Sequence, residues 1–223
     1  MARARALFLA LGCLALRSAA SAETLDFERD RVGELPAGFA VAQTGPGEPP
    51  RWGVEEDPSA PSGRHVLVQR SADETRSRFP LLLYGGRSLA DGAIQARFKA
   101  LSGSIDQAAG IVWRYRDPQN YYVVRANALE GNVVLYKVER GKRSDLDPLG
   151  SGPFAYGREA PVRAGAWQEL RVAVKGDLFR VSLDGVPLFD VRDATFAGAG
   201  KVGLWTKADS VTAFDDLAIA ASD

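Results

Sequence analysis

Hydrophobic and polar side chains alternate along most of this 223-residue chain, and a period of two marks half-buried β-strands. In residues 93–101, Ile94, Ala96, Phe98 and Ala100 share one parity, while Gln95, Arg97 and Lys99 share the other. Residues 110–116 set Ile111, Trp113 and Tyr115 against Val112, Arg114 and Arg116. Residues 120–127 set Tyr122, Val124 and Ala126 against Tyr121, Val123, Arg125 and Asn127. Residues 133–139 set Val134, Tyr136 and Val138 against Leu135, Lys137 and Glu139. Leu170, Val172 and Val174, then Phe179, Val181 and Leu183, continue the alternation. Turn formers fall between the runs, at Asp117-Pro118, Glu130-Gly131, Arg140-Gly141 and Gly176-Asp177. Asp184-Gly185 is a hairpin signal, because both central residues of a type I′ turn need positive φ. No long helix is predicted after residue 22. Many short strands with frequent turns predict an antiparallel sandwich or barrel.

The N-terminus breaks this pattern. Arg3 and Arg5 precede an apolar run from Ala6 to Leu16, too short to span a bilayer. Ala20-Ser21-Ala22 is a small-x-small cleavage site. Residues 1–22 therefore read as a secretory signal peptide, with one domain over 23–223 and a secreted or periplasmic location. Cys13 follows a poor lipobox, Ala10-Leu11-Gly12. Removing 1–22 takes Arg3, Arg5 and Arg17 and no acid, leaving 25 basic against 28 acidic residues, a net charge of −3. It also removes Cys13, so the mature chain has no cysteine and must be held by its own core. Near-neutral charge gives no sign of nucleic-acid binding. One histidine, His65, argues against a histidine metal cluster. No transmembrane segment is expected in the mature chain.

The stretch Gly110-Ile-Val-Trp-Arg-Tyr-Arg-Asp-Pro-Gln-Asn-Tyr-Tyr-Val-Val-Arg-Ala-Asn127 resembles the concanavalin A-like lectin/glucanase superfamily. So do Trp167-Gln-Glu-Leu-Arg-Val172, Leu183-Asp-Gly-Val-Pro-Leu-Phe189, Val202-Gly-Leu-Trp-Thr206 and Phe214-Asp-Asp-Leu217, in an order similar to the laminin-G-like and 3-keto-disaccharide hydrolase branches. The resemblance runs from about Leu25 to Ile219. It implies an all-β, two-sheet antiparallel jelly-roll sandwich, with saccharide bound across the concave sheet. It is unspecific for activity, because this fold carries many functions.

Parity names a candidate carbohydrate-binding face. If Phe98, Trp113, Tyr122 and Tyr136 face the core, then Arg97, Lys99, Arg114, Arg125, Asn127 and Lys137 face outward. Val202 and Leu204 inward would leave Trp205 outward with Lys207. The site residues expected are Arg97, Arg114, Arg125, Asn127, Lys137 and Trp205. An indole would carry the apolar face of a sugar while guanidinium donors meet hydroxyls or carboxylates. The excess of cations would favour an acidic oligo- or polysaccharide. Solvated cations that block edge association are the ordinary alternative.

Laminarinase-type relatives carry Glu-x-Asp-x-Glu on one strand. That motif is missing here. Glu28-Arg29-Asp30, Glu55-Glu56-Asp57 and Asp145-Leu146-Asp147 adjoin turn signals instead. No Gly-x-Ser-x-Gly elbow accompanies His65. The leading expectation is a lectin-like binding module without catalytic residues. A glycoside hydrolase of the 3-keto-disaccharide hydrolase type and a protein-binding adhesion module are the alternatives. No cofactor is expected. A pattern slip at Asp215-Asp216 predicts a bulge that turns a carboxylate outward, where structural calcium is a further alternative.

Overall fold

The structure, a computed structural model, describes residues 22–152 and 155–222. The segment expected as a signal peptide lies outside these residues, except Ala22. No α-helix occurs among the described residues. Two eight-stranded antiparallel sheets pack face to face.

The back sheet runs β14 (Val186–Arg192), β13 (Leu178–Leu183), β12 (Gln168–Lys175), β6 (Gly92–Ser102), β16 (Val211–Ala221), β4 (His65–Gln69) and β3 (Trp52–Glu56), with β1 (Ala22–Leu25) along the C-terminal half of β16. The front sheet runs β10 (Lys142–Asp145), β9 (Asn132–Glu139), β8 (Asn120–Asn127), β7 (Ala108–Asp117), β15 (Gly200–Trp205), β5 (Phe79–Leu89) and β2 (Phe39–Thr44), with β11 (Arg158–Glu159) against β9. Antiparallel neighbours explain the alternation, since each strand buries one face.

Ile94, Phe98, Trp113, Tyr122, Leu135, Val172, Phe179, Leu204 and Phe214 meet between the sheets. Trp113 stacks on Tyr122, with centroids 5.5 Å apart, and meets Phe179 edge-on at 5.3 Å. Asp184 (φ 49°) and Gly185 (φ 76°) both take positive φ, as the hairpin signal requires. The slip on the last strand is a bulge, with Asp216 at φ 48°.

Two expected face assignments are corrected. On β7 the register breaks after Trp113 and Arg114 takes φ 47°. The extra residue reverses the parity beyond it. Tyr115 joins the outer face, while Arg114 is buried against the rim of the core. On β9, Lys137 pairs with Tyr122, Leu135 with Val124 and Val133 with Ala126. Cross-strand partners share a face, so Lys137 lies on the inner side and Tyr136 on the outer side. Both faces of β9 are apolar, and periodicity gives no means of choosing between them.

The outer face of the front sheet is itself hydrophobic: Phe79, Leu81, Val112, Tyr121, Val123, Val134, Tyr136, Val138 and Trp205 form a second buried cluster. Curvature buries it. Thr44 on β2 hydrogen-bonds the Tyr121 hydroxyl on β8 at 2.9 Å and donates to the Pro118 carbonyl. Four strand steps separate β2 from β8, about 19 Å on a flat sheet at ~4.8 Å per step. Arg143 on β10 lies over the Tyr136 ring at 4.4 Å and the Phe79 ring of β5 at 4.9 Å. The front sheet is therefore curled into a trough whose flanks touch through their side chains.

On the back sheet, a loop from Asp57 to Arg64 covers Val66, Val68, Val211 and Ala213. Asp57 pairs with Lys99, over which the Trp167 ring sits at 5.0 Å, and Ser62 donates to Asp215 and Asp216.

Candidate functional site

The trough of the front sheet gathers polar side chains at one end. Arg125 and Asn127 leave the outer face of β8, two residues apart and so on one side of the strand. The tight turn that follows brings Glu130 and Asn132 back beside them. Arg125 forms a fork with Glu130, Nη1 to Oε1 at 3.0 Å and Nη2 to Oε2 at 2.9 Å, and also donates to Asn132 Oδ1 at 2.5 Å. Asn127 Nδ2 donates to Glu130 Oε1 at 3.1 Å and to Asp106 Oδ1 at 2.6 Å, and Lys207 Nζ donates to Asp106 Oδ2. Asp106 is held by its own turn, because the Asp209 carboxylate accepts the backbone N–H groups of Ser104, Ile105 and Asp106.

Aromatic rings line the trough beside this network. Trp205 stacks on Phe79 at 5.4 Å. Gly110 leaves room for the indole, since a Cβ there would meet Trp205 Cε3 at 3.1 Å and the Val124 carbonyl at 3.0 Å. The Tyr136 and Tyr156 hydroxyls share a hydrogen bond of 2.5 Å. Gly157, at φ 62° with its Cα packed on the Val133 carbonyl, sets the chain that carries Tyr156. Arg125 lies 5.6 Å from the Tyr136 centroid and 5.9 Å from that of Tyr156.

The electrostatics follow from burial and pairing. Burial raises the Glu130 carboxyl, but the Arg125 fork and Asn132 outweigh it, and the group stays below its ordinary range. Burial disfavours the Arg125 charge, yet Tyr136 and Glu130 more than offset this. Burial holds the Tyr136 phenol well above its ordinary range. Arg125 Nε and Arg143 Nη1 are buried without a hydrogen-bond partner among the described residues. Such donors carry a desolvation cost of about 1–3 kcal/mol each until something accepts from them.

Of the six expected residues, Arg125, Asn127 and Trp205 come together here. Trp205 faces outward by parity, but the curled sheet leaves it fully buried. Arg97 stands on the outer face of the back sheet, paired with Asp216 at 3.5 Å. Arg114, brought inward by its bulge, donates to the carbonyls of Ala90, Phe196 and Gly176 and pairs with Asp91. Lys137, on the inner face, bonds Asp193 and Thr195. Asp106, Glu130, Asn132, Arg143 and Tyr156 were not expected. The polar cluster Asn127, Glu130, Asn132 around a tight turn was a usable signal. Arg143 and Tyr156 come from stretches with no period.

At the predicted bulge, Asp215 is buried under Ser62, which donates through its amide and hydroxyl at 3.1 Å. Glu28 accepts the Arg64 and His65 amides. Among the described residues, no three acidic, histidine or cysteine side chains gather in a metal-binding group.

No protein-family model matches the chain, and no curated protein matches it. Solved structures do. The carbohydrate-binding module CBM66 of Bacillus subtilis matches with a TM-score of 0.61 at 19% identity, covering 82% of this chain and 96% of that one. The cellulose-induced protein Cip1 matches with a TM-score of 0.62 at 12% identity, covering 90% and 97%. Domain 4 of AbnA, an extracellular arabinanase of Geobacillus stearothermophilus solved with arabinotriose, matches with a TM-score of 0.52 at 15% identity, covering 88% and 90%. These similarities and the sheet order agree: the chain has the concanavalin A-like jelly-roll fold.

Proposed function

We propose that this protein is an exported carbohydrate-binding module whose saccharide is held at the polar end of the front-sheet trough. One observation carries the reading: a satisfied fork of Arg125, Asn127, Glu130 and Asp106 lies beside aromatic rings, with two guanidinium N–H groups still unpartnered. Rings and planar forks together suit a ligand with apolar faces and many hydroxyls. The carbohydrate-binding proteins of the same fold support the same class of ligand.

An acidic sugar fits best. Arg143 stacks on rings and has no carboxylate partner among the described residues. A uronate carboxylate would supply one. The test is a glycan array on the mature chain, followed by calorimetric titration with one acidic and one neutral hit. Arg143→Ala should weaken the acidic sugar by about 1.5–3 kcal/mol more than the neutral one, the difference of a charge-assisted bond. Equal losses would remove the acidic preference, and an array without hits would remove the carbohydrate reading.

A hydrolytic reading rests on a separate feature. Asp106 and Glu130 both accept from the one nitrogen Asn127 Nδ2, so their oxygens lie no farther apart than those two bonds end to end. Retaining glycosidases place two carboxyl groups about 5–5.5 Å apart. Reducing-sugar release from array hits, abolished by Glu130→Gln, would establish it.

A further inference from the structure

We propose that the outer face of the back sheet holds a second ligand site, built around Trp167, that takes one ring of a neutral saccharide. It stands on residues of the other sheet, so it holds or fails apart from the trough.

The site follows from what the loop of residues 57–64 leaves uncovered. That loop lies over the half of the outer face that carries Val66, Val68, Val211 and Ala213. Beside it, Arg97 on β6 is the cross-strand partner of Glu169 on β12, and such partners share a face. Trp167 lies two residues before Glu169 and so on the same side. Lys99, two residues after Arg97, agrees with this, because its ammonium sits 5.0 Å from the indole centre. The edge of the indole is pinned where Nε1 donates to Ser59 Oγ at 3.3 Å. Arg97, Trp167, Gln168, Glu169, Asp184 and Gly185 line a depression of about 360 Å3. Small-ligand clefts span about 300–1,000 Å3.

The wall of this depression is fixed, and two of its charged groups are free. Asp184 belongs to the fold: it accepts from Gln168 Nε2 and from the Glu169 amide, each at 2.8 Å, and pairs with Arg163. Arg97 Nε stands 3.5 Å from Asp216, and 46% of the Arg97 side chain is exposed. Among the described residues, the Arg97 guanidinium makes no hydrogen bond and the Glu169 carboxylate has no partner.

Charge selects the ligand. An anion would meet Glu169 and Asp184, and a cation would meet Arg97. A neutral ring bearing hydroxyls can donate to Glu169, accept from Arg97 and lay its apolar face against the indole. The trough differs, because Arg143 there suits a carboxylate.

Trp167 supplies its own readout. Of the four tryptophans, Trp52, Trp113 and Trp205 are 8% exposed or less, and only Trp167 is partly exposed. Acrylamide quenching of the mature chain therefore reports on Trp167, and Trp167→Phe should remove most of it. The probes are linear oligomers of glucose, xylose, mannose and arabinose, with oligogalacturonide as the acidic control. At saturation, at least one neutral oligomer should lower the quenching constant about twofold or more, and oligogalacturonide should leave it unchanged. Glu169→Gln keeps the shape of a partly exposed side chain and should weaken that oligomer about tenfold, the effect of losing a bond to a charged group. Added salt should leave its affinity within about twofold, since the ligand carries no charge to screen. Quenching unchanged by every neutral oligomer, or lowered equally by oligogalacturonide, would overturn the inference. Calorimetric binding of a sugar with no change at Trp167 would overturn it too, and would leave the trough reading standing. A single equivalent of neutral sugar that protects Trp167 and is lost in Glu169→Gln would establish this site and remove the trough reading.

Discussion

Two carboxyl groups in this fold titrate in opposite senses. Glu130 is held below its ordinary value of 4.5 by Arg125 and Asn132 against the cost of burial. A depressed folded-state pKa contributes stability that is present above the unfolded value and lost as pH falls through the folded one. Glu130→Gln also leaves Arg125, fully buried, without its charge partner. We expect a loss of about 1–3 kcal/mol at pH 7, toward the low end because Glu130 is partly solvated. The deficit should shrink in acid, and urea melts at pH 7 and pH 3.5 read it directly. Asp215 behaves in reverse. Burial, aided by the neighbouring Asp216, raises it from 3.8 to about 6 despite bonds from Ser62. Its contribution is fully present below about pH 3.8 and is lost as pH rises through about 6. Asp215→Asn removes that loss, so the variant should gain on the wild type between pH 4 and 7, by at most about 3 kcal/mol at ~1.36 kcal/mol per unit. A difference that does not vary with pH would show that Asp215 is ionised throughout.

At the scale of strands, the bulge in β7 decides more than any single contact. It lets Trp113 stay between the sheets while Tyr115, two residues on, reaches the opposite face. Arg114, at the break, ties the rim to three carbonyls of neighbouring loops. Trp113→Ala should cost about 3–5 kcal/mol, because a large ring leaves a cavity that rigid sheets cannot fill. An unchanged melt would mean that this strand faces the other way. Trp205→Ala should cost a similar amount, since Trp205 is as fully buried as Trp113. It therefore cannot serve as a test of sugar stacking that leaves the fold intact. The half-exposed ring for that purpose is Tyr156.

For the whole molecule, curvature of one sheet is the central fact. It turns an outer face into a lined trough and gives the sandwich a second hydrophobic cluster. It also explains how a chain without cysteine past residue 22 can bury so many large side chains. Export is a matter for the native host. If residues 1–22 are a signal peptide, N-terminal sequencing of the recovered protein should begin near Glu23. Strand β1 pairs Ala22 to Leu25 with the last strand, so cleavage there leaves nearly all of that pairing in place. A start at Met1 would remove the secreted or periplasmic assignment.

Strand positions, the inter-sheet faces of β6, β8, β12 and β13, the Asp184-Gly185 turn and the Asp215-Asp216 bulge were all legible in the order of residues. Each depends on a period of two or on the local φ demands of a turn, and neighbouring residues carry that information. Three things were settled only by tertiary structure. The face of β9 needed its register with β8, because Val133 and Leu135 on one side are as apolar as Val134 and Val138 on the other. The inward turn of Arg114 needed the bulge, which no side chain in Gly110–Arg116 announces. The burial of Trp205 and the meeting of Arg143 with Phe79 needed the curl of the whole sheet. Curl sums small twists over seven strands, and no local pattern encodes that sum.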